Sequence, residues 1–332
     1  MEQDSHDSLD QIDLMLISEL QIDGRQTITD LASKFGAGRA TIRKKLDRLV
    51  NEHIIEITAI AGYYGFKYPR TVAMVGINAR LNDVRAIAQT LASHGNVQMV
   101  SICAGRYNII VWVAFRDRSS FSAFLIDELG KYPGVTSTES ILNLQFHKVS
   151  FAYGGVEHNL CKQEIQAREK AYVRPTLDQR DLTIIKELQA DGRQSISNLA
   201  NKLKITRPTV RRKLQRLLDM QIIAVVAFAP PNVFGYEVRA VLGLSVHANH
   251  VESVAERISA YTNVSVVIIC TGRYDILAWA AFRNAQDLST FVLDKLGTDQ
   301  DITGTDIMIE MDIHKQSWAY LTPDDYDTKS NS

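Results

Sequence analysis

The sequence predicts an α+β chain built from one unit used twice, each unit a run of three helices followed by a strand-helix-strand-strand-helix-strand (βαββαβ) domain. Residues 9–55 and 177–223 align without a gap and are identical at 26 of 47 positions. A second matched block sets ICAGRYNIIVWVAFRD at 102–117 against ICTGRYDILAWAAFRN at 269–284, so a whole unit of about 150 residues is duplicated. Within each unit the apolar period changes from three-to-four to two, the mark of helices giving way to strands. A length of 332 residues suits a small and a larger domain per unit.

In the first copy Leu9, Ile12, Leu16, Ile17 and Leu20 recur at helical spacing, and Asp23-Gly24 ends that helix. Thr27 or Thr29 caps a short second helix with Ile28, Leu31, Ala32 and Phe35 inward, and Gly36-Ala37-Gly38 turns the chain. A third helix starts at Arg39, with Ile42, Leu46, Leu49 and Val50 on one face. Arg39, Thr41, Arg43, Lys44 and Arg48 occupy the others. The second copy repeats it, with Val210, Leu214, Leu217 and Leu218 inside and Arg207, Thr209, Arg211, Arg212 and Arg216 outside. Beyond it, TVAMVGI (71–77) and NIIVWVAF (108–115), matched by AVLGLSV (240–246) and DILAWAAF (275–282), read as strands. Val84, Ile87, Ala88 and Leu91, matched by Val251, Val254, Ala255 and Ile258, mark the helix after the first strand. A second helix (FSAFLIDELG, LSTFVLDKLG) precedes a last strand that ends in HKVSFAY or HKQSWAY. That order folds as a four-stranded antiparallel sheet with both helices on one face.

Composition narrows the function. Lys+Arg number 37 against Asp+Glu 38, so any nucleic-acid surface must be local rather than spread over the chain. The start, MEQDSHDS, is polar and acidic, and no apolar run approaches membrane-spanning length; a soluble cytoplasmic protein is expected, with no membrane partner. Cys103, Cys161 and Cys270 form no Cys-x-x-Cys pair and have no His at zinc-ligand spacing, so neither a metal nor a cofactor is expected. Cys103 and Cys270 close equivalent apolar runs and read as small buried hydrophobes.

The two basic helices carry the sharpest functional signal. A helix fits the major groove of double-stranded DNA, where Arg and Lys bond guanine edges and Thr meets a thymine methyl or a phosphate. Arg39, Thr41 and Arg43, with Arg207, Thr209 and Arg211, lie near the helix starts and are expected at base edges, and Lys44 and Arg212 are expected at the DNA as well. Arg48 and Arg216, further along, are expected on phosphates. A solvated charged face is the bland alternative, and its recurrence in both copies weighs against it.

The run Leu-Asp, Leu-Gln-x-Asp-Gly-Arg, Leu-Ala, Thr-(Ile/Val)-Arg and Ile-Ile, followed by Gly-x-Tyr-(Asn/Asp), resembles the Lrp/AsnC family of transcriptional regulators over nearly the whole chain. The resemblance implies a winged helix-turn-helix followed by a ferredoxin-like domain of the regulation-of-amino-acid-metabolism (RAM) type, here as a fused pair. It also implies an enzyme-free, DNA-binding regulator that forms homo-oligomers and binds a small-molecule effector such as an amino acid at RAM-domain interfaces. The family's loop motif falls on Gly105, Arg106, Tyr107 and Asn108 and on Gly272, Arg273, Tyr274 and Asp275, with Thr138 and Thr305 as further effector candidates. A glycine permits a tight bend, a tyrosine gives a wall and a hydroxyl, and an acid holds an ammonium group. Copy one has Asn108 in place of that acid, and a turn kept for packing is the alternative reading.

The expected domains are a winged helix-turn-helix at 9–62, a RAM domain at 63–153, a linker at 154–176, a second winged helix-turn-helix at 177–229, a second RAM domain at 230–320 and a tail at 321–332. The first head, lacking a hydroxyl cap at Gly36-Ala37-Gly38 where the second has Thr206, is expected to be the looser. Two other functions share this reading frame. Sirohaem decarboxylases have the same architecture, and a nucleoid-organising protein would bind DNA with little sequence preference. The loop sequence and the retained basic helices argue against the first; near-neutral charge argues against the second.

Overall fold

The computed structural model describes residues 9–61, 71–150, 160–161, 177–220 and 222–317. The expected tail, 321–332, lies outside them, as does the expected linker, 154–176, apart from Leu160–Cys161.

Each unit opens with three helices: α1 (Gln11–Ile22), α2 (Ile28–Phe35) and α3 (Arg39–Asn51) in the first, α6 (Gln179–Ala190), α7 (Ile196–Leu203) and α8 (Arg207–Asp219) in the second. Asp10 and Asp178 start α1 and α6 with reciprocal capping boxes, each paired with the aspartate three residues on. Thr27 caps α2 by accepting from Asp30 N. A single strand follows each head, β1 (Glu56–Ala61) and β7 (Ile223–Phe228). Among the described residues neither forms a hairpin within its own head; the two pair antiparallel with each other, Glu56 opposite Phe228 and Ala61 opposite Ile223. One apolar core runs through both heads, from Leu16, Leu31 and Ile42 to Ile185, Leu199 and Val210. The heads are therefore one body.

The rest of each unit is the expected βαββαβ domain. In the first copy it comprises β2 (Thr71–Ala79), α4 (Leu81–Ala92), β3 (Val97–Ala104), β4 (Ile109–Phe115), α5 (Arg118–Ala123, extended by wider and tighter turns to Lys131) and β5 (Val135–Val149). After the short β6 (Leu160–Cys161), the second copy supplies β8 (Val238–Val246), α9 (Val251–Ser259), β9 (Val264–Thr271), β10 (Ile276–Phe282), α10 (Ala285–Thr290) and β11 (Ile302–Gln316). Strands β5 and β11 are fifteen residues long because each serves both copies. β5 pairs with β2 over its first half and with β9 of the other copy over its second; β11 does the same with β8 and β3.

The consequence is a closed ring, β2-β4-β3-β11-β8-β10-β9-β5 and back to β2. The last two register shifts in each long strand, at Asn143/Gln145 and Phe146/Lys148 and at Glu310/Asp312 and Ile313/Lys315, mark where the strand passes to the other sheet. Eight strands enclose a space that side chains fill. Met74, Met99, Tyr107, Trp112, Tyr274, Trp279 and Met308 do so, with Ile60 and Val226 of the ribbon packed on them. Trp112 and Trp279 meet edge to face, ring centroids 5.4 Å apart. Helices α4 and α5 cover the outside of one sheet and α9 and α10 the other, so every residue of β4 and β10 is buried. Among the described residues no helix is long and apolar enough to cross a membrane.

Candidate nucleic-acid interface and the motif loops

α3 and α8 are each thirteen residues long and lie on their heads through the same positions: Ile42, Leu46 and Leu49 in one, Val210, Leu214 and Leu217 in the other. That leaves Arg39, Thr41, Arg43 and Lys44 exposed on α3 and Arg207, Arg211 and Arg212 exposed on α8. Thr209 is half-buried, its hydroxyl 2.9 Å from that of Thr206. Among the described residues none of these six Arg and Lys side chains has an ion-pair partner. Six cations held by two helices with no carboxylate to neutralise them form a surface suited to a polyanion.

Arg48 and Arg216, expected on phosphates, are engaged elsewhere. Arg48 Nη2 lies 2.8 Å from Asp13 Oδ2, and Arg216 Nη2 lies 2.5 Å from Asp181 Oδ2. Lys45 and Lys213 reach the same two aspartates at 3.1 and 3.0 Å and the capping Asp10 and Asp178 as well. Asp13 and Asp181 are 1% exposed. A carboxylate so deep in the head needs its cations, and these basic residues therefore pin the third helix to the first. Sequence spacing put Arg48 on the outer face; the 35-residue reach from α3 back to α1 was not visible in a local pattern.

The turn before each third helix divides as expected. Gly38 precedes α3 with no side-chain cap, whereas Thr206 precedes α8 and accepts from Thr209 N at 3.4 Å. The end of the helix before it differs in the opposite sense. Gly36 ends α2 at φ 61°, and Lys204 ends α7 at φ 53°, a left-handed conformation that costs a side-chain-bearing residue about 1 kcal/mol.

The two motif loops join β3 to β4 and β9 to β10. Gly105 and Gly272 take positive φ, 133° and 129°. Tyr107 and Tyr274 are buried, and each ring lies against a glycine of the neighbouring strand, so that a Cβ on Gly76 or Gly243 would come within 2.6 Å of it. Tyr107 Oη donates to Glu139 at 2.6 Å and Tyr274 Oη to Asp306 at 2.7 Å. Burial, reinforced by the carboxylate, pushes the Tyr107 hydroxyl up to about 12 and that of Tyr274 higher still. Arg106 and Arg273 both approach Glu139 Oε2, at 3.4 and 3.3 Å, so the loops of the two copies meet at one carboxylate.

Asn108 and Asp275 do the same job: Asn108 Oδ1 accepts from Ala79 N at 3.0 Å, and Asp275 Oδ2 from Val246 N at 2.8 Å. The exchange of amide for acid that distinguishes the copies makes no difference to that bond. Thr138 is exposed and stands opposite Ile77 of β2, and Thr305 is half-buried opposite Leu244 of β8. Cys103 and Cys270 are buried as expected, and burial raises both thiols, that of Cys270 to about 12. The recurring His-Lys pairs lie at the strand crossings. Lys148 Nζ donates to Tyr261 O at 2.8 Å and Lys315 Nζ to His94 O at 2.9 Å, so each lysine holds the loop after the first RAM-type helix of the other copy.

Comparison with known proteins matches four segments of the chain. The AsnC-type helix-turn-helix domain matches residues 9–50, a winged helix-turn-helix DNA-binding domain matches 177–224, and the Lrp/AsnC ligand-binding domain matches twice, at 72–152 and 239–319. An uncharacterized HTH-type transcriptional regulator of Pyrococcus furiosus is 36% identical over 145 residues, which is 43% of this chain and 97% of that protein. The HTH-type transcriptional regulator FL11 of the same organism is 28% identical over 146 residues, 44% of this chain and 96% of its own length. Among solved structures, the siroheme decarboxylase NirDL, in complex with an iron-uroporphyrin III analogue, matches 95% of both chains at 12% identity with a TM-score of 0.66. At that identity the likeness is one of fold.

Proposed function

The chain belongs to the Lrp/AsnC family, and from that premise we propose that it is a sequence-specific DNA-binding transcriptional regulator of the cytoplasm, one chain doing the work of a dimer. The observation that carries this reading is the pair of third helices. Both present an exposed cationic set, Arg39, Arg43 and Lys44 against Arg207, Arg211 and Arg212, although much of the surrounding surface has diverged. Arg39 and Arg43 with Arg207 and Arg211 read base edges in neighbouring major grooves, and Thr41 and Thr209 add methyl or phosphate contacts. Joining the heads in one chain keeps the second head at high effective concentration once the first has bound.

A small-molecule effector, an amino acid in the first instance, modulates that binding from the ligand-binding domains. The accessible members of the motif loops, Arg106 and Arg273 with Thr138 and Thr305 nearby, are its contacts, while the tyrosines and Asn108 or Asp275 shape the loop from within. Chains associate further through apolar residues exposed at equivalent places in both copies, Ile126 with Leu293 and Leu144 with Met311. An enzymatic reading drawn from the siroheme decarboxylase fold has the whole-chain likeness in its favour, but gives the free cations of two helices nothing to do.

The test is selection of bound sites from a random duplex pool, with and without a panel of amino acids. Wild type yields a defined bipartite site whose affinity falls steeply with salt, and Arg43→Ala combined with Arg211→Ala abolishes its protection. A double variant that still protects the same site overturns the reading.

A further inference from the structure

The turn between the first two helices of each head carries the same run, Asp-Gly-Arg-Gln, at 23–26 and 191–194. In sequence its Asp-Gly reads as a helix stop, and the run with its arginine contributes to the family resemblance without a stated role. In the structure it joins the heads. Arg25 donates from Nη1 to Gly192 O at 2.6 Å and from Nη2 to Gln194 O at 3.3 Å, and Arg193 answers with Gly24 O at 2.7 Å and Gln26 O at 3.0 Å. Asp23 and Asp191 accept the backbone N–H of Arg25 and Arg193, each at 2.9 Å, which fixes where the two side chains start. The turns also sit on the inter-head ribbon: Gly24 N donates to Val225 O and Gly192 N to Ile57 O, both at 2.8 Å. Only glycine fits there, because a Cβ at Gly24 would lie 2.8 Å from Ile57 Cγ2 and one at Gly192 2.8 Å from Ile57 O.

Burial lowers the pKa of both guanidiniums, and the charge of Arg25 adds to the effect on Arg193. Two like charges withdrawn from water beside each other are a costly way to gain stability. What a guanidinium supplies is geometry, a planar fork whose two parallel donors fix distance and orientation together. The carbonyls it grips matter for the same reason. Gln26 and Gln194 stand immediately before Thr27 and Ser195, the caps of α2 and α7. Those helices pack on α3 and α8 within their heads. Each recognition helix thus takes its position from an arginine that belongs to the other head.

We propose that Arg25 and Arg193 are positioning residues that set the separation and orientation of the two recognition helices, so that the chain accepts two half-sites at one spacing only. This rests on the DNA-binding reading above. One base pair added between half-sites moves them apart by about 3.4 Å and rotates one by about 35°, which a clasp of this kind does not follow.

Two measurements on the full chain test it. In the first, affinity is measured for the selected site and for versions with one base pair added to or removed from the centre. Wild type loses at least about tenfold per step, equivalent to about 1.4 kcal/mol. Arg25→Gln with Arg193→Gln loses less than about threefold, and the double Lys variant, which keeps charge without the fork, falls between. Each value is a ratio within one preparation, so a partly unfolded sample does not alter it. A double Gln variant with the wild-type ratio, or a wild type indifferent to spacing, overturns the proposal.

The second measurement needs no DNA. Spin labels on keto-bearing residues replacing Asn51 and Asp219, exposed at the ends of α3 and α8, report the interhelix distance distribution. It is narrow in the otherwise wild-type chain and broad in the double Gln variant; equal widths overturn the clasp even if the chain binds no duplex, an outcome that would separately sink the regulatory reading.

Discussion

The first head enters its recognition helix from Gly38 and leaves the preceding helix through Gly36; the second enters from Thr206 and leaves through Lys204. Copy one has the residue suited to the left-handed helix end and lacks the hydroxyl cap. Copy two has the cap and forces a lysine into the left-handed conformation at φ 53°. Each effect is worth about 1 kcal/mol and the two oppose each other, so both heads hold third helices of the same length on the same core positions. The expectation of a looser first head considered only the cap. Turn chemistry drifts between copies because its errors can be compensated within a few residues, whereas a buried ion pair or a cationic face has no such local substitute.

The largest effect that sharpens this comparison is expected at the shared feature. Asp13→Asn and Asp181→Asn should each destabilise the heads by about 2–3 kcal/mol in urea denaturation, because the lysine and arginine gathered around each carboxylate lose their counter-charge. Unequal losses would mean that the two heads are not held together alike. Next come Arg43→Ala and Arg211→Ala as single changes, each expected to cost about 1–3 kcal/mol of specific binding by titration against the selected site. A loss confined to one of them would show a chain that reads with one head and merely rests the other on DNA.

A pH comparison follows. Burial holds Lys148 down at about 8, and it lowers Lys315 as well. Between that value and the ordinary lysine range the unfolded chain binds a proton that folded Lys148 has given up, so its contribution to stability rises with pH across the interval. The rise is on the order of 1–2 kcal/mol, and Lys148→Met removes it. The measurement is the difference between variant and wild type, since Cys103, Cys270, Tyr107 and Tyr274, all raised by burial, lower stability with rising pH in both. Lys315→Met should flatten the curve less, because Lys315 is the more exposed of the pair. The smallest effects lie at the turns: Thr206→Ala should lower the thermal midpoint by the equivalent of about 1 kcal/mol, and Lys204→Gly should raise it by up to about that much. If Lys204→Gly has no effect, the compensation described above is wrong.

Much of this was legible in the sequence. The helices and strands followed from period, the duplication from alignment, and the exposed cations of α3 and α8 from their offset against the apolar stripe. The ion pairs of Arg48 and Arg216 with Asp13 and Asp181 were not legible, because a helical wheel says which face a residue occupies and nothing about which other helix lies over that face. Arg25 and Arg193 were missed altogether. Their signal was present as an identical Asp-Gly-Arg-Gln run in both copies, but a helix stop accounts for Asp-Gly and gives no reason for the arginine. The motif tyrosines posed the reverse difficulty, since a residue that shapes a loop from inside and one that lines a pocket leave the same letter.

The sequence by itself determined the local elements, their order and their repetition, because those depend on hydrophobic period, caps and turn residues acting over a few positions. Only the tertiary structure decided how the copies combine. β1 and β7 look the same in sequence whether they close a hairpin at home or pair with each other, and a fifteen-residue strand does not say that its second half belongs to the neighbouring sheet. Those choices are made by unsatisfied strand edges and apolar faces meeting at long range, once two equivalent units are tied together and the ring β2-β4-β3-β11-β8-β10-β9-β5 leaves no edge of those eight strands open.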